Sequence, residues 1–232
     1  MTRRLLRENS KKRPRNDGKG KGGNVILEKV YKIIFRDKKQ IELARKSIHI
    51  SSILLPVAYR YVYDYNKKDT LILLLFLTLL SIGIELLRLE NKNFQKYFLF
   101  IFGVMLRKHE INDFTGASYL LTSAIVCVAF FPADIAFAAM AFLSIGDTVA
   151  ALVGMNFGKR IFIDSSKTFE GTLACFVATF LFGLFVFWNN PGIAFFGALA
   201  VCISEAINIK IDDNVKIPII SGIVMSIVFI FT

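Results

Sequence analysis

From residue 48 onward the sequence is a succession of apolar runs separated by short polar stretches, at about 48–64, 70–88, 116–131, 134–154, 169–188, 191–208 and 216–232. Helices and closed barrels are the only backbones that satisfy their own hydrogen bonds in hydrocarbon, and runs of this length read as helices. Several sit at the short end of the roughly 20 residues needed to cross about 30 Å of hydrocarbon. Hydrophobic residues make up 54% of the chain although charged residues still reach 20%. The two coexist because they are segregated: 16 of the 29 Lys and Arg fall in the first 47 residues. The expectation is an all-α, polytopic membrane bundle of about seven transmembrane helices over residues 48–232. Disorder is excluded there. The run 94–106 is too short to span and reads as an interfacial or re-entrant helix. Cys127, Cys175 and Cys202 lie far apart with no CxxC pair, which excludes a readable zinc site or disulfide framework.

Residues 1–23 read as a basic, glycine-containing flexible tail, with Lys11-Lys12-Arg13-Pro14-Arg15 suited to anionic lipid headgroups rather than nucleic acid. No secretory signal peptide is expected, because polar residues continue past Gly23. Residues 24–47 read as an amphipathic interfacial helix. With the N-terminus in the cytosol, 26 Lys and Arg fall on that side and 3 on the other. Without the first 47 residues the ratio is still 10 to 3, so the N-terminus is expected inside.

That topology collects chemistry at one level. His49, Glu85, Asp147, Glu170, Glu205, Asn208 and the Asp212-Asp213-Asn214 loop all fall at or near the cytosolic leaflet, whereas Asp64, Asp69 and Asp134 are the acids of the far side. A carboxylate within the bilayer is costly and needs a partner or a purpose. For Glu85 an ion pair with Arg88 at i, i+3 is an equal alternative. For Asp147, Glu170 and Glu205 a shared polar chamber is expected. Between them, a loop with Lys159, Arg160, Ser165, Ser166, Lys167 and Thr168 enters a helix, an arrangement suited to phosphate. Acids beside it would repel bare phosphate, which implies a divalent cation. Gly146, Ala150, Gly154 and Gly158 recur every four residues, the spacing that lets a neighbouring helix approach closely. Gly154 to Lys159 is one residue short of a phosphate-binding loop, and no protein-kinase, zinc-protease or serine-hydrolase signature is present.

Arg45-Lys46-x-x-His49, Ile145-Gly146-Asp147-Thr148-x-Ala150, Gly154-x-x-x-Gly158-Lys159, Lys167-Thr168-x-Glu170-Gly171, Glu205 and Asp213-Asn214-x-x-Ile217-Pro218 occur in this order. Together, over about residues 40–225, they resemble the CTP-dependent lipid kinases: the CTP-using diacylglycerol kinases, phytol kinase and dolichol kinase. Glu85-Leu86-Leu87-Arg88, Met105-Leu106-Arg107-Lys108-x-Glu110 and Thr115-Gly116 also look like this family, particularly its diacylglycerol and phytol branches. The family is similar to the CDP-diacylglycerol synthases, whose closing His-Gly-Gly and Asp-Arg-x-Asp pattern is absent here.

The resemblance implies transfer of the γ-phosphate of CTP, with Mg²⁺, to a membrane alcohol, giving a lipid monophosphate and CDP. Diacylglycerol, yielding phosphatidate for phospholipid biosynthesis, is the first expectation. An isoprenoid alcohol such as phytol, polyprenol or dolichol follows. By resemblance Asp147, Lys167, Glu170 and Glu205 are catalytic. Arg45, Lys46, His49, Lys159 and Thr168 contact the nucleotide, and Asp147, Asp213 and Asn214 hold the metal. Which of Asp147, Glu170 and Glu205 is ligand and which is base stays open. A cytidylyltransferase is the nearest alternative, and a membrane transporter a more distant one because the polar groups gather on one side. The membrane would be the endoplasmic reticulum or nuclear envelope in a eukaryote and the cell membrane in a prokaryote. Oligomeric state is open. A lateral opening should admit the lipid, and Phe130, Phe131, Phe137, Phe142, Phe169, Phe176 and Phe180 are candidates to line it, though packing is the plainer reading of most.

Overall fold

The computed structural model describes residues 38–103, 105–107, 109–161, 167–207 and 211–232, without the side chains of 38–40, 48 and 109. The basic tail, residues 24–37 of the expected interfacial helix, and Ser165, Ser166 and Asn208 lie outside the described residues.

The described residues form α1 (Lys38–Ser51), α2 (Leu54–Tyr61), α3 (Lys67–Glu90), α4 (Lys92–Phe102), a 3-10 turn (His109–Ile111), α5 (Gly116–Phe130), α6 (Ala133–Phe157), α7 (Phe169–Val186), α8 (Pro191–Ala206) and α9 (Asp213–Ile230). No strand occurs among them, only an isolated bridge between Ile161 and Thr168. Four helices, α3, α6, α7 and α9, are long and apolar enough to cross a membrane, while α5 and α8 are apolar but shorter. At 15 residues α5 is about 22 Å long, less than the hydrocarbon thickness. The expected first span, 48–64, is divided. The first helix continues through residues 47 and 48 to Ser51, where the Ser52 hydroxyl turns back onto the His49 carbonyl (2.6 Å), and a second helix begins at Leu54. Pro56 fits the first turn of that second helix, where its missing N–H costs nothing.

α3 shows why this is a membrane bundle. Ile72, Phe76 and Leu79, at i, i+4 and i+7, share one face and are 58%, 62% and 68% exposed. The opposite face buries Thr70, Leu74, Thr78, Glu85 and Arg88. A water-soluble helix would reverse this arrangement, and an exposed apolar face of such length needs lipid to cover it. The Thr70 and Thr78 hydroxyls donate to carbonyls one turn back, at 2.8 and 2.7 Å, so their burial leaves no orphan donor.

α6 is the centre of the bundle. It is buried continuously from Ile135 to Ser144 and packs against α1, α2, α5, α7, α8 and α9. Ala136, Ala138, Ala139 and Ala141 keep its surface low, so neighbouring backbones approach closely. The four-residue stripe that begins at Gly146 serves the same end. A β-carbon added at Gly154 would come 2.9 Å from the Thr168 hydroxyl oxygen, so glycine leaves the slot into which α7 inserts its N-cap. Thr168 accepts a hydrogen bond from the Gly171 amide there, at 3.2 Å.

Candidate active site

The site is built around Asp147, in the second half of α6. Lys46 and His49 project from one face of α1, three residues apart. The Lys46 ammonium forms a close, charged hydrogen bond to Asp147 Oδ2, and His49 Nε2 lies 3.1 Å from the same oxygen. Lys46 is only 5% exposed, so its charge depends on this carboxylate for compensation. Arg45, next to it, is paired with Glu42 at 2.6 Å.

A second ionic group stands where α7, α8 and α9 meet. Lys167 donates to Asp213 Oδ2 at 3.1 Å and to the Glu205 carbonyl at 2.5 Å, and lies 3.4 Å from Glu205 Oε1. Lys216 holds the other oxygen of Asp213 at 2.8 Å. Thr172 donates to Glu205 Oε2 at 2.8 Å, which fixes that carboxylate inside the bundle. Burial alone would lower the Lys167 pKa, but Asp213 and Glu205, with Asp147 contributing, hold it above the usual lysine value. The cationic form of Lys167 is therefore favoured, and its attraction to Asp147 links the two groups.

A loop from α4 to α5 closes the site. Arg88, fully buried on α3, donates through NH1 to the carbonyls of Glu110 (2.7 Å) and Ile111 (3.0 Å), and through NH2 to that of Asp113 (2.6 Å). Glu85 accepts the amide and hydroxyl of Thr115 and the hydroxyl of Ser118, anchoring the start of α5. The two residues are therefore not an i, i+3 ion pair. Each turns to a different part of the loop. Glu110 in turn receives the amides of Arg107 (2.8 Å) and Gly116 (3.2 Å). Arg107 reaches across to Asp212 at 2.8 Å. Burial would lower the Arg107 pKa, but Asp212, Glu110, Asp147 and Asp213 raise it.

Between the loop, α1, α4 and α5 lies a cavity of about 610 Å³. Arg45, Lys46, His49, Arg107 and Asp147 line its charged part, and Phe98, Phe102, Leu106, Leu120 and Leu121 line its apolar part. Such a cavity accepts a molecule that is ionic at one end and hydrocarbon at the other.

The expected site residues divide accordingly. Arg45, Lys46, His49, Asp147 and Asn214 line the cavity, and Lys167, Glu205 and Asp213 form the ionic group beside it. Glu170, half-buried, accepts the amides of Lys159 (3.1 Å) and Arg160 (3.2 Å) and does not line the cavity around Asp147. The Thr168 hydroxyl accepts the Gly171 amide at the helix cap. The phenylalanines singled out in the sequence pack or face outward instead of lining this cavity. Phe176 and Phe180 stack at 5.8 Å, Phe137 and Phe142 are buried in the core, and Phe130 is 77% exposed. The cavity-lining role of Arg107, Glu110, Phe98 and Phe102 was not read from the sequence; the Met105 to Glu110 motif marked the segment but assigned it no task.

No protein-family model matches the chain, and no solved structure matches it. Curated relatives do. It is 27% identical over 213 residues to "CTP-dependent diacylglycerol kinase 1" of Saccharomyces cerevisiae, covering 81% of this chain and 73% of the relative. The protein of the same name from Eremothecium gossypii is 27% identical over 217 residues, covering 82% of this chain and 68% of the relative. That of Schizosaccharomyces pombe is 24% identical over 162 residues, covering 62% and 74%. The chain is a homologue of the CTP-dependent lipid kinases.

Any Mg²⁺ in such a kinase homologue would have to fit this donor set. Among the described residues no three His, Cys, Asp or Glu side chains converge on one point. Asp147 and Asp213 are single carboxylates, each paired with lysine, and would hold Mg²⁺ only with phosphates and water completing its shell.

Proposed function

We propose that this protein is an integral-membrane lipid kinase that transfers the γ-phosphate of CTP to the hydroxyl of a membrane lipid alcohol, diacylglycerol first among them, giving phosphatidate and CDP. The observation that carries the reading is the cavity itself, charged around Asp147 and apolar along α4 and α5. The names of the relatives supply the nucleotide and the acceptor class.

Phosphoryl transfer asks the protein chiefly for charge neutralisation and in-line placement. Lys46, Arg45, Arg107 and Lys167 supply cations around one carboxylate, Asp147, and these bind the triphosphate and hold its terminal group toward the cavity. His49, at the same carboxylate, faces the space an acceptor hydroxyl would enter. Asp147 and Asp213 are the carboxylates that would hold Mg²⁺, which when bound neutralises phosphate charge. Glu205, fixed by Thr172, tethers Lys167. The bias of Lys and Arg along the chain supports a site open to the cytosol, where CTP is available.

The test is phosphoryl transfer by purified protein in mixed micelles or vesicles. Labelled CTP or ATP is offered with diacylglycerol, phytol, geranylgeraniol or a polyprenol. Labelled phosphatidate from CTP is the expected product. Transfer from ATP but not CTP overturns the donor, and no transfer to any alcohol overturns the kinase reading.

A further inference from the structure

The side of the cavity away from Asp147 has a chemistry of its own. α4 packs mainly on α3, leaving the cavity between itself and α5. Arg88 fixes it from within: the guanidinium lies 5.3 Å from the centre of the Phe98 ring, and the Gln95 side chain donates to the Ile111 carbonyl at 3.1 Å. The outer face of α4 carries Tyr97, Phe100 and Ile101, all largely exposed, as a helix lying at the membrane surface would. Phe102 and Ala117 are exposed and also line the cavity, so its apolar end opens sideways between α4 and α5, at the level of that surface helix.

One polar group lining the cavity is unspent. Asn214 is 7% exposed and lines the cavity, yet its carboxamide makes no hydrogen bond with another described residue. Its backbone is fully used, the amide by Asp212 at 2.9 Å and the carbonyl by the Ser123 hydroxyl at 2.7 Å, so the side chain is held in place while remaining available. Gly116 leaves it room: a β-carbon there would come 2.6 Å from Asn214 Nδ2. The neighbouring polar groups are engaged, Ser52 with the His49 carbonyl and Ser144, and Thr115 with Glu85. Its amide atoms are open to the cavity, where they stand as a donor and an acceptor for a ligand.

We propose that the opening between α4 and α5 is the acceptor subsite, with hydrocarbon against Phe98, Phe102 and Leu121 and the Asn214 carboxamide hydrogen-bonded to an ester oxygen beside the reacting hydroxyl. This rests on the kinase reading and sharpens it. An isoprenoid alcohol has a single oxygen, which the reaction centre takes, and leaves Asn214 unpaired. A glycerolipid with esters next to its free hydroxyl satisfies both places, so the subsite selects diacylglycerol. It also moves Asn214 from the metal to the lipid.

The test uses the full chain in vesicles of phosphatidylcholine containing a diacylglycerol with a photoreactive acyl chain. Irradiation should attach label to peptides of residues 94–102 and 117–125, and Leu121→Trp, which fills the groove, should abolish that labelling. In steady-state assays Asn214→Ala should raise KM for diacylglycerol about tenfold, the equivalent of one lost hydrogen bond of about 1.4 kcal/mol, with KM for CTP and the Mg²⁺ requirement unchanged. Any turnover of geranylgeraniol should be unaffected. Labelling confined to α7 and α8, or an Asn214→Ala protein altered in CTP or Mg²⁺ dependence and not in diacylglycerol dependence, overturns the subsite. Labelling needs no turnover: groove labelling without phosphoryl transfer from CTP refutes the kinase reading and keeps the subsite, whereas transfer without groove labelling does the reverse.

Discussion

Lys46 on α1 is ion-paired with Asp147 on α6, 101 residues further along the chain, and the pair forms part of the wall of the cavity. Removing one member of a buried pair leaves an uncompensated charge, at roughly 3–5 kcal/mol. Asp147→Ala should thus reduce CTP-dependent transfer at least about 100-fold, as expected where a preorganised charge is lost. It should also lower thermal stability in detergent. The reversed pair, Lys46→Asp with Asp147→Lys, separates the two effects. It restores much of the stability and none of the activity if Asp147 serves the reaction, and restores both if the pair only holds α1 to α6.

The fixed charge of Lys167 makes a prediction about pH. Its pKa is raised above the unfolded value of about 10.4, so the stabilisation from Asp213 and Glu205 is fully present below about pH 10.4 and is lost only as pH rises through the higher folded value. KM for CTP should accordingly show no loss of a lysine cation between pH 7 and 9. Lys167→Ala should weaken CTP binding over that whole range by a similar factor. A wild-type KM that climbs near pH 9, with the climb absent in Lys167→Ala, would show that Lys167 titrates there.

The membrane bundle was legible because a bilayer leaves few alternatives: long apolar runs must be helices. What the runs concealed was the break at Ser51 and Ser52, since hydropathy is continuous there; the Ser52 and Ile53 amides bond three residues back, the Ser52 hydroxyl turns onto His49, and Pro56 has no N–H to offer the Ser52 carbonyl. The convergence of Lys46, His49 and Asp147 was legible only as ordered motifs, because the pairing spans about a hundred residues and no local spacing encodes it. Glu85 and Arg88 show the limit from the other side. An i, i+3 spacing permits an ion pair, but both side chains instead meet loop backbone whose position is set by tertiary structure. The cavity was hidden for the same reason, its walls coming from α1, α4, α5 and the loop with single residues from α6 and α9, few from each.

Arg88 carries a stability prediction. It satisfies three loop carbonyls from a fully buried position. Arg88→Met strands those acceptors, and with about 1–3 kcal/mol for each unsatisfied group a loss of at least about 3 kcal/mol is expected. Arg88→Lys should rescue little, because one ammonium cannot reproduce the planar fan of guanidinium donors. Thermal unfolding in detergent measures both. A wild-type melting temperature in Arg88→Lys would show that charge alone holds the loop.

Thr168 tests whether a motif residue binds nucleotide or shapes the fold. Its hydroxyl accepts the Gly171 amide and packs into the slot left by Gly154 and Gly158. As a cap, Thr168→Ala should cost about 1 kcal/mol of stability, and Thr168→Ser should recover most of it. Gly154→Val should cost more, because its side chain would occupy the space of the Thr168 hydroxyl and push α7 from α6. If the hydroxyl serves only the cap, KM for CTP in Thr168→Ala stays within about twofold of wild type at temperatures where the protein is folded. A tenfold rise in that KM, with melting temperature unchanged, would place Thr168 at the nucleotide instead.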